Sequence, residues 1–184
     1  MSDQSAYIFE VLSNINSNST YKIDEDYILK ADTKAHKYKD TNGKRRTYEE
    51  KRLDIDCEFA DEIVLHSGHA SILEATEVRK HDFKISKMVG NSSVVYAVDN
   101  KVVHDTEFFL HMNKYTQYLE SYRQGQLEYF AFWKFSERPT QPLKIGDKPE
   151  MLLLSVIPAE TLLMKMCDPR NMTKTKDKFK IKVV

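Results

Sequence analysis

Residues 59–80 read Phe59-Ala-Asp-Glu-Ile-Val-Leu-His-Ser-Gly-His-Ala-Ser-Ile-Leu-Glu-Ala-Thr-Glu-Val-Arg-Lys80. Ile63, Val64 and Leu65 form one apolar run, and Ser71, Ile72 and Leu73 begin the next, with the turn signal Ser67-Gly68 between them. That pattern predicts a β-hairpin. Closed at Ser67-Gly68, it faces Leu65 with Ala70 and sets Asp61 directly across from Glu74. Opposed residues share a face of the sheet, with Cβ atoms roughly 5 Å apart. Two carboxylates that close repel unless a cation or a proton lies between them. The pair is therefore the chain's best candidate for a divalent-metal site, provided the register holds, because a slip of one residue sends the two to opposite faces.

Upstream, Leu53-Asp-Ile-Asp-Cys-Glu-Phe59 alternates strictly, with Asp54, Asp56 and Glu58 on one face. This predicts a strand running into the hairpin, long enough to carry a bulge. Downstream, residues 82–103 read as further strand, broken at Gly90-Asn91 and again at Asp99-Asn100. Tyr27-Ile-Leu starts another. Helical spacing marks Ala6 to Ile15. A second helix is expected from a cap at Asp105 or Thr106 to about Arg123. Leu127 to Phe135 and Met151 to Ile157 are apolar enough for buried strands. Pro158 suits the start of a helix. The terminal Phe179-Lys-Ile-Lys-Val-Val184 predicts an edge strand with its lysines outward. The expected fold is therefore α/β (α+β): a central mixed sheet with an antiparallel hairpin, flanked by helices, in one domain spanning 1–184.

Composition narrows the classes. The chain has 184 residues, 41% hydrophobic, with five Gly and five Pro, which argues against a disordered or linker-rich chain. No apolar stretch approaches the roughly 20 residues of a membrane span. The opening Met-Ser-Asp-Gln-Ser lacks a signal-peptide pattern. Cys57 and Cys167 lack metal-type spacing and read as reduced, so a cytoplasmic protein is expected. The formal net charge is zero, but its distribution is uneven. The stretch containing Lys44, Arg45 and Arg46 is basic. Residues 165–184 hold seven basic against two acidic side chains, Lys174, Lys176 and Lys178 among them. Both segments suit the phosphate backbone of a nucleic acid. His66 and His69 flank the expected turn, but a Zn²⁺ site needs further ligands.

Helix, acid-bearing antiparallel strands, helix and two buried strands, in that order, resemble the PD-(D/E)xK nuclease superfamily. That family sets an aspartate on one strand and an acid-x-Lys on its hairpin partner. Asp61-Glu-Ile-Val and Ile72-Leu-Glu-Ala-Thr76 are closest to the cleavage domains of type IIS restriction endonucleases, with Thr76 where the family has lysine. The resemblance implies a restriction-endonuclease-like fold and metal-dependent hydrolysis of DNA phosphodiester bonds. Asp61 and Glu74 would hold Mg²⁺, with Mn²⁺ as a substitute. Thr76, Glu77 and Lys80 would surround the reacting phosphate, and Lys80 or Arg79 would supply the missing cation. An alternative alignment takes Glu77 as the second acid, Arg79 in the lysine slot and Asp56 or Glu58 as the first acid. A homodimer or a partner subunit would fit such an enzyme. Two other functions stay open: a non-catalytic nucleic-acid- or protein-binding regulatory module of a phage or host, and a small-molecule-binding antiparallel sheet.

Overall fold

A computed structural model of the chain describes residues 3–17, 21–39, 46–71, 76–79, 82–125, 127–174 and 178–184. Four helices come first: α1 (Asp3–Ser17), α2 (Glu25–Lys37), α3 (Tyr48–Glu58) and α4 (Ala60–Ser71). Strands β1 (Thr76–Arg79), β2 (Asp82–Val89), β3 (Ser92–Val102) and β4 (Glu107–His111) follow, then α5 (Met112–Arg123). Next come β5 (Tyr129–Phe135), β6 (Met151–Pro158), α6 (Ala159–Met166), a 3₁₀ turn at Pro169–Asn171 and β7 (Lys178–Lys182).

The fold is mixed α/β. Five strands form one sheet in the order β1-β2-β3-β5-β6, and β4 pairs with β7 in a separate two-stranded ribbon. Within the sheet β3 and β5 run parallel and the other pairs antiparallel. The parallel step needs a crossover, which β4 and α5 provide. β5 is buried on both faces, as its nearly unbroken apolar run requires. Ala131, Trp133 and Phe135 pack with α1–α4 residues such as Ile8, Leu12, Ala31, Ile55 and Ile63. Phe130 and Phe132 pack on the other side with Leu162, Leu163 and Met166 of α6 and with Phe108, Phe179 and Ile181 of the ribbon. The register slips by one residue beside Phe132/Trp133, so β6 keeps Met151, Leu153 and Val156 on the first face.

Several expectations hold: the first helix, β2 and β3 joined at Gly90-Asn91, both late strands, the helix after Pro158, and the terminal strand. Three need correction. Residues 60–71 are helix, not the first arm of a hairpin. Two acids in its first turn, Asp61 and Glu62, favour the helix N-terminus, whereas the β-branched pair Ile63-Val64 and Gly68 suggested strand and turn. Leu53–Phe59 lies mostly in α3, where the alternation fails because Asp56 is as deeply buried as Ile55. Tyr27 lies in α2, capped by Asp24. A further difference is that Glu107–His111 forms β4 before α5 begins.

Candidate functional site

The site is built on β3. Val94, Val95, Val98 and Val102 favour the extended chain, and β3 runs unbroken through Asp99-Asn100, which the sequence suggested as a turn. Alternation then sorts three consecutive residues. Asn100 turns toward the α1–α4 side, where Trp133 Nε1–H donates to its Oδ1 at 2.8 Å. Asp99 and Lys101 take the other face, and Lys101 Nζ lies 3.1 Å from Asp99 Oδ2. Their side chains are 19% and 26% exposed, so the pair is partly shielded from water. The ammonium also lies over the ring of Tyr118 of α5, 5.2 Å from its centroid. Tyr118 in turn meets Phe130 edge-on at 5.2 Å. Burial alone would lower the pKa of Lys101, but the carboxylate of Asp99 and the phenol of Tyr118 outweigh it and hold the pKa above the ordinary lysine range.

Asp61 stands in the first turn of α4, a helix that packs on β3 and β1. Its Oδ1 accepts from the backbone N–H of Glu62 at 2.9 Å. Loss of water pushes its carboxyl above the usual range, while the Glu62 N–H and the ammonium of Lys101 pull the other way. The β2–β3 ladder pairs Phe83 with Val98. That pair is the last of the ladder at this end.

The predicted Asp61–Glu74 pairing across a hairpin does not form, because a helical residue has no strand partner. Glu74 and Lys80 lie outside the described residues. Thr76 and Glu77 belong to β1, in register with Ile85 and Lys84. Lys44 and Arg45 also lie outside the described residues, and Arg46 is ion-paired to Asp54 and Glu50. Lys174 is an exposed turn residue, Lys178 opens β7 opposite His111, and Lys176 is outside the described residues. His66 stacks on Tyr21 with centroids 5.1 Å apart. Among the described residues no three His, Cys, Asp or Glu side chains gather around one point. Asp99 nonetheless offers carboxylate oxygens, which suit Mg²⁺, and that ion commonly takes one or two carboxylates and keeps its waters.

Asp99-Asn100-Lys101 escaped the sequence reading although its acid-x-Lys spacing is plain. Asp-Asn is a turn-forming pair, and its position inside a long strand shows only once β5 is seen pairing with it in parallel. Among the described residues no helix is long and apolar enough to cross a membrane. No protein-family model matches the chain, and neither a curated protein nor a solved structure is similar to it.

Proposed function

We propose that the chain is a metal-dependent nuclease that hydrolyses DNA phosphodiester bonds, with its site on the β2–β3 hairpin and not on residues 59–80. The observation that carries this reading is the pair Asp99 and Lys101, two residues apart on one strand face, in contact and partly shielded from water. The ring of Tyr118 beneath the ammonium adds to it by holding Lys101 on this face. Acid-x-Lys on one strand is part of the pattern of the nuclease family that the sequence resembles.

Asp99 would hold the metal. When bound, Mg²⁺ lowers the pKa of a coordinated water and offsets charge building on the phosphate. Lys101 has a narrower role than a general base. Asp99 and Tyr118 favour its protonated form, so it acts as a fixed cation. A cation held in place and partly shielded from water stabilises charge that develops in the transition state, without reorganising when that charge appears. Tyr118 and Phe130 restrict where the ammonium can go. Phosphate contacts away from Lys101 would fall to the lysines of the C-terminal segment.

Titration of Mg²⁺ or Mn²⁺ against plasmid DNA tests the reading, comparing the parent with Asp99→Asn, Lys101→Gln and Glu74→Ala. The first two should lose cleavage by roughly a hundredfold or more, and Glu74→Ala should retain it. Equal cleavage by all four removes the site. Binding of DNA without cleavage under any metal would favour the non-catalytic binding module.

A further inference from the structure

The β4–β7 ribbon carries a second pattern. Its antiparallel register pairs Glu107 with Lys182, Phe108 with Ile181, Phe109 with Lys180, Leu110 with Phe179 and His111 with Lys178. Opposed residues share a face. Phe108, Leu110, Phe179 and Ile181 are buried in the core. The other face therefore belongs to Glu107, Phe109, Lys178, Lys180 and Lys182.

We propose that this outer face is a binding track for single-stranded nucleic acid, with Phe109 as a base-stacking platform and the three lysines as phosphate contacts. This deepens the nuclease reading and rests on it for the choice of partner. Lysines on an edge strand by themselves only discourage unwanted strand pairing. That role does not account for Phe109, which is 53% exposed in the middle of the face. Lys180 Nζ lies 6.0 Å from the centroid of the Phe109 ring and 3.1 Å from Glu107 Oε2. Glu107 neutralises part of the charge and leaves the face net positive. An exposed aromatic ring flanked by cations at the spacing of a strand suits a chain of stacked bases joined by phosphates. Duplex DNA hides its base faces, so it would use the lysines and not the ring. The ribbon also leads directly into α5, the helix that sets Tyr118 against Lys101.

The test uses the full chain in EDTA and fluorescence anisotropy with labelled oligo-dT and oligo-rU of roughly 15 nucleotides, a length typical of single-strand sites, and with a duplex of equal length. The parent should bind the single strands with an affinity that falls as salt rises. Combined Lys178→Gln, Lys180→Gln and Lys182→Gln should flatten the log–log salt slope by about 2, near 0.7 for each phosphate that is no longer neutralised. Phe109→Ala should weaken binding roughly tenfold and leave the slope unchanged. Agreement for either dT or rU supports the track and identifies the strand it prefers. Failure of the parent to bind either strand overturns it, as does unaltered binding by both variants whose thermal melts match the parent. Tighter duplex binding that ignores Phe109→Ala also overturns it. Ribbon-dependent binding with no cleavage under Mg²⁺ or Mn²⁺ would remove the nuclease reading and leave the track standing. Cleavage by the parent with unaltered binding in both variants would do the reverse.

Discussion

The phenol of Tyr27 donates to Asp56 Oδ1 at 2.5 Å, and both side chains are buried. This bond joins α2 to α3. The same carboxylate accepts from Arg52 within α3, and its Oδ2 accepts from the backbone N–H of Leu143 at 2.9 Å. Arg52, itself 2% exposed, also donates to Asp32 at 3.2 Å and to the Leu143 carbonyl at 3.3 Å. One buried ion pair thus fastens two helices and the loop between β5 and β6. Removing one partner of such a pair strands the other charge. Asp56→Ala should therefore cost about 3–5 kcal/mol, whereas Tyr27→Phe, which leaves the charges paired, should cost about 1–3 kcal/mol. Urea unfolding of the two variants decides the order, and an equal or reversed cost would show that the ion pair is not the fastening element.

That cluster also explains which parts of the fold were legible in the sequence. β5, β6 and β7 could be read because their apolar residues follow the sheet that they occupy. The region 47–59 could not, because Arg52 and Asp56 are core residues that look like surface residues in any hydropathy pattern. Better signals were present. Thr47-Tyr-Glu-Glu50 has the form of a capping box, and Thr47 Oγ1 does accept from the Glu50 backbone N–H at 3.2 Å. Asp24 caps Tyr27 in the same manner, at 2.9 Å. Local capping chemistry was more informative here than alternation. Of the candidate site, Asp61 was singled out for a strand pairing that does not exist, while Asp99 and Lys101 were passed over because their dipeptide neighbourhood looks like a turn.

The tyrosines give the fold an alkaline limit. Burial, followed by the nearby carboxylates of Asp24 and Glu62, raises Tyr21 to about 12. Burial and the bond to Asp56 hold Tyr27 well above the ordinary phenol range. An unfolded tyrosine ionises near 10. Above that pH the unfolded chain loses protons that the native state keeps, so stability is complete below about pH 10 and falls as pH rises through the native values. Urea midpoints should decline from pH 10 upward, and the decline should be shallower in Tyr27→Phe. Phenolate absorbance that develops fully near pH 10 in the folded protein would contradict this.

The β2–β3 turn depends on one backbone conformation. Gly90 has φ +63°, and a Cβ built there would meet nothing within 4 Å. A substitution is therefore opposed by backbone strain alone. Gly90→Ala should cost about 1–2 kcal/mol, and Gly90→Asn less, since asparagine tolerates the left-handed region. Thermal unfolding of the two variants tests the order. The candidate site lies at the far end of this hairpin, so DNA cleavage measured well below the melting point should be unchanged in both.

Trp133 is the chain's single tryptophan and reports on the strand that carries the candidate site. It is 1% exposed, and its indole N–H is held by Asn100, the residue between Asp99 and Lys101. Its emission should lie at short wavelength and resist quenching by acrylamide. Asn100→Ala leaves a buried donor without this acceptor and should cost about 1–3 kcal/mol. Trp133→Phe removes the donor as well, so the double variant should cost less than the sum of the two single variants. The coupling has a bearing on function because Asn100 lies on β3 between Asp99 and Lys101. If the hydrogen bond sets the alternation of that strand, Asn100→Ala should weaken nuclease activity more than its loss of stability accounts for, while Asn100→Gln, which keeps an amide oxygen, should recover part of it. Activity in Asn100→Ala equal to the parent's, at a temperature where both are folded, would show that strand pairing with β2 and β5 orients Asp99 and Lys101 without help from the indole.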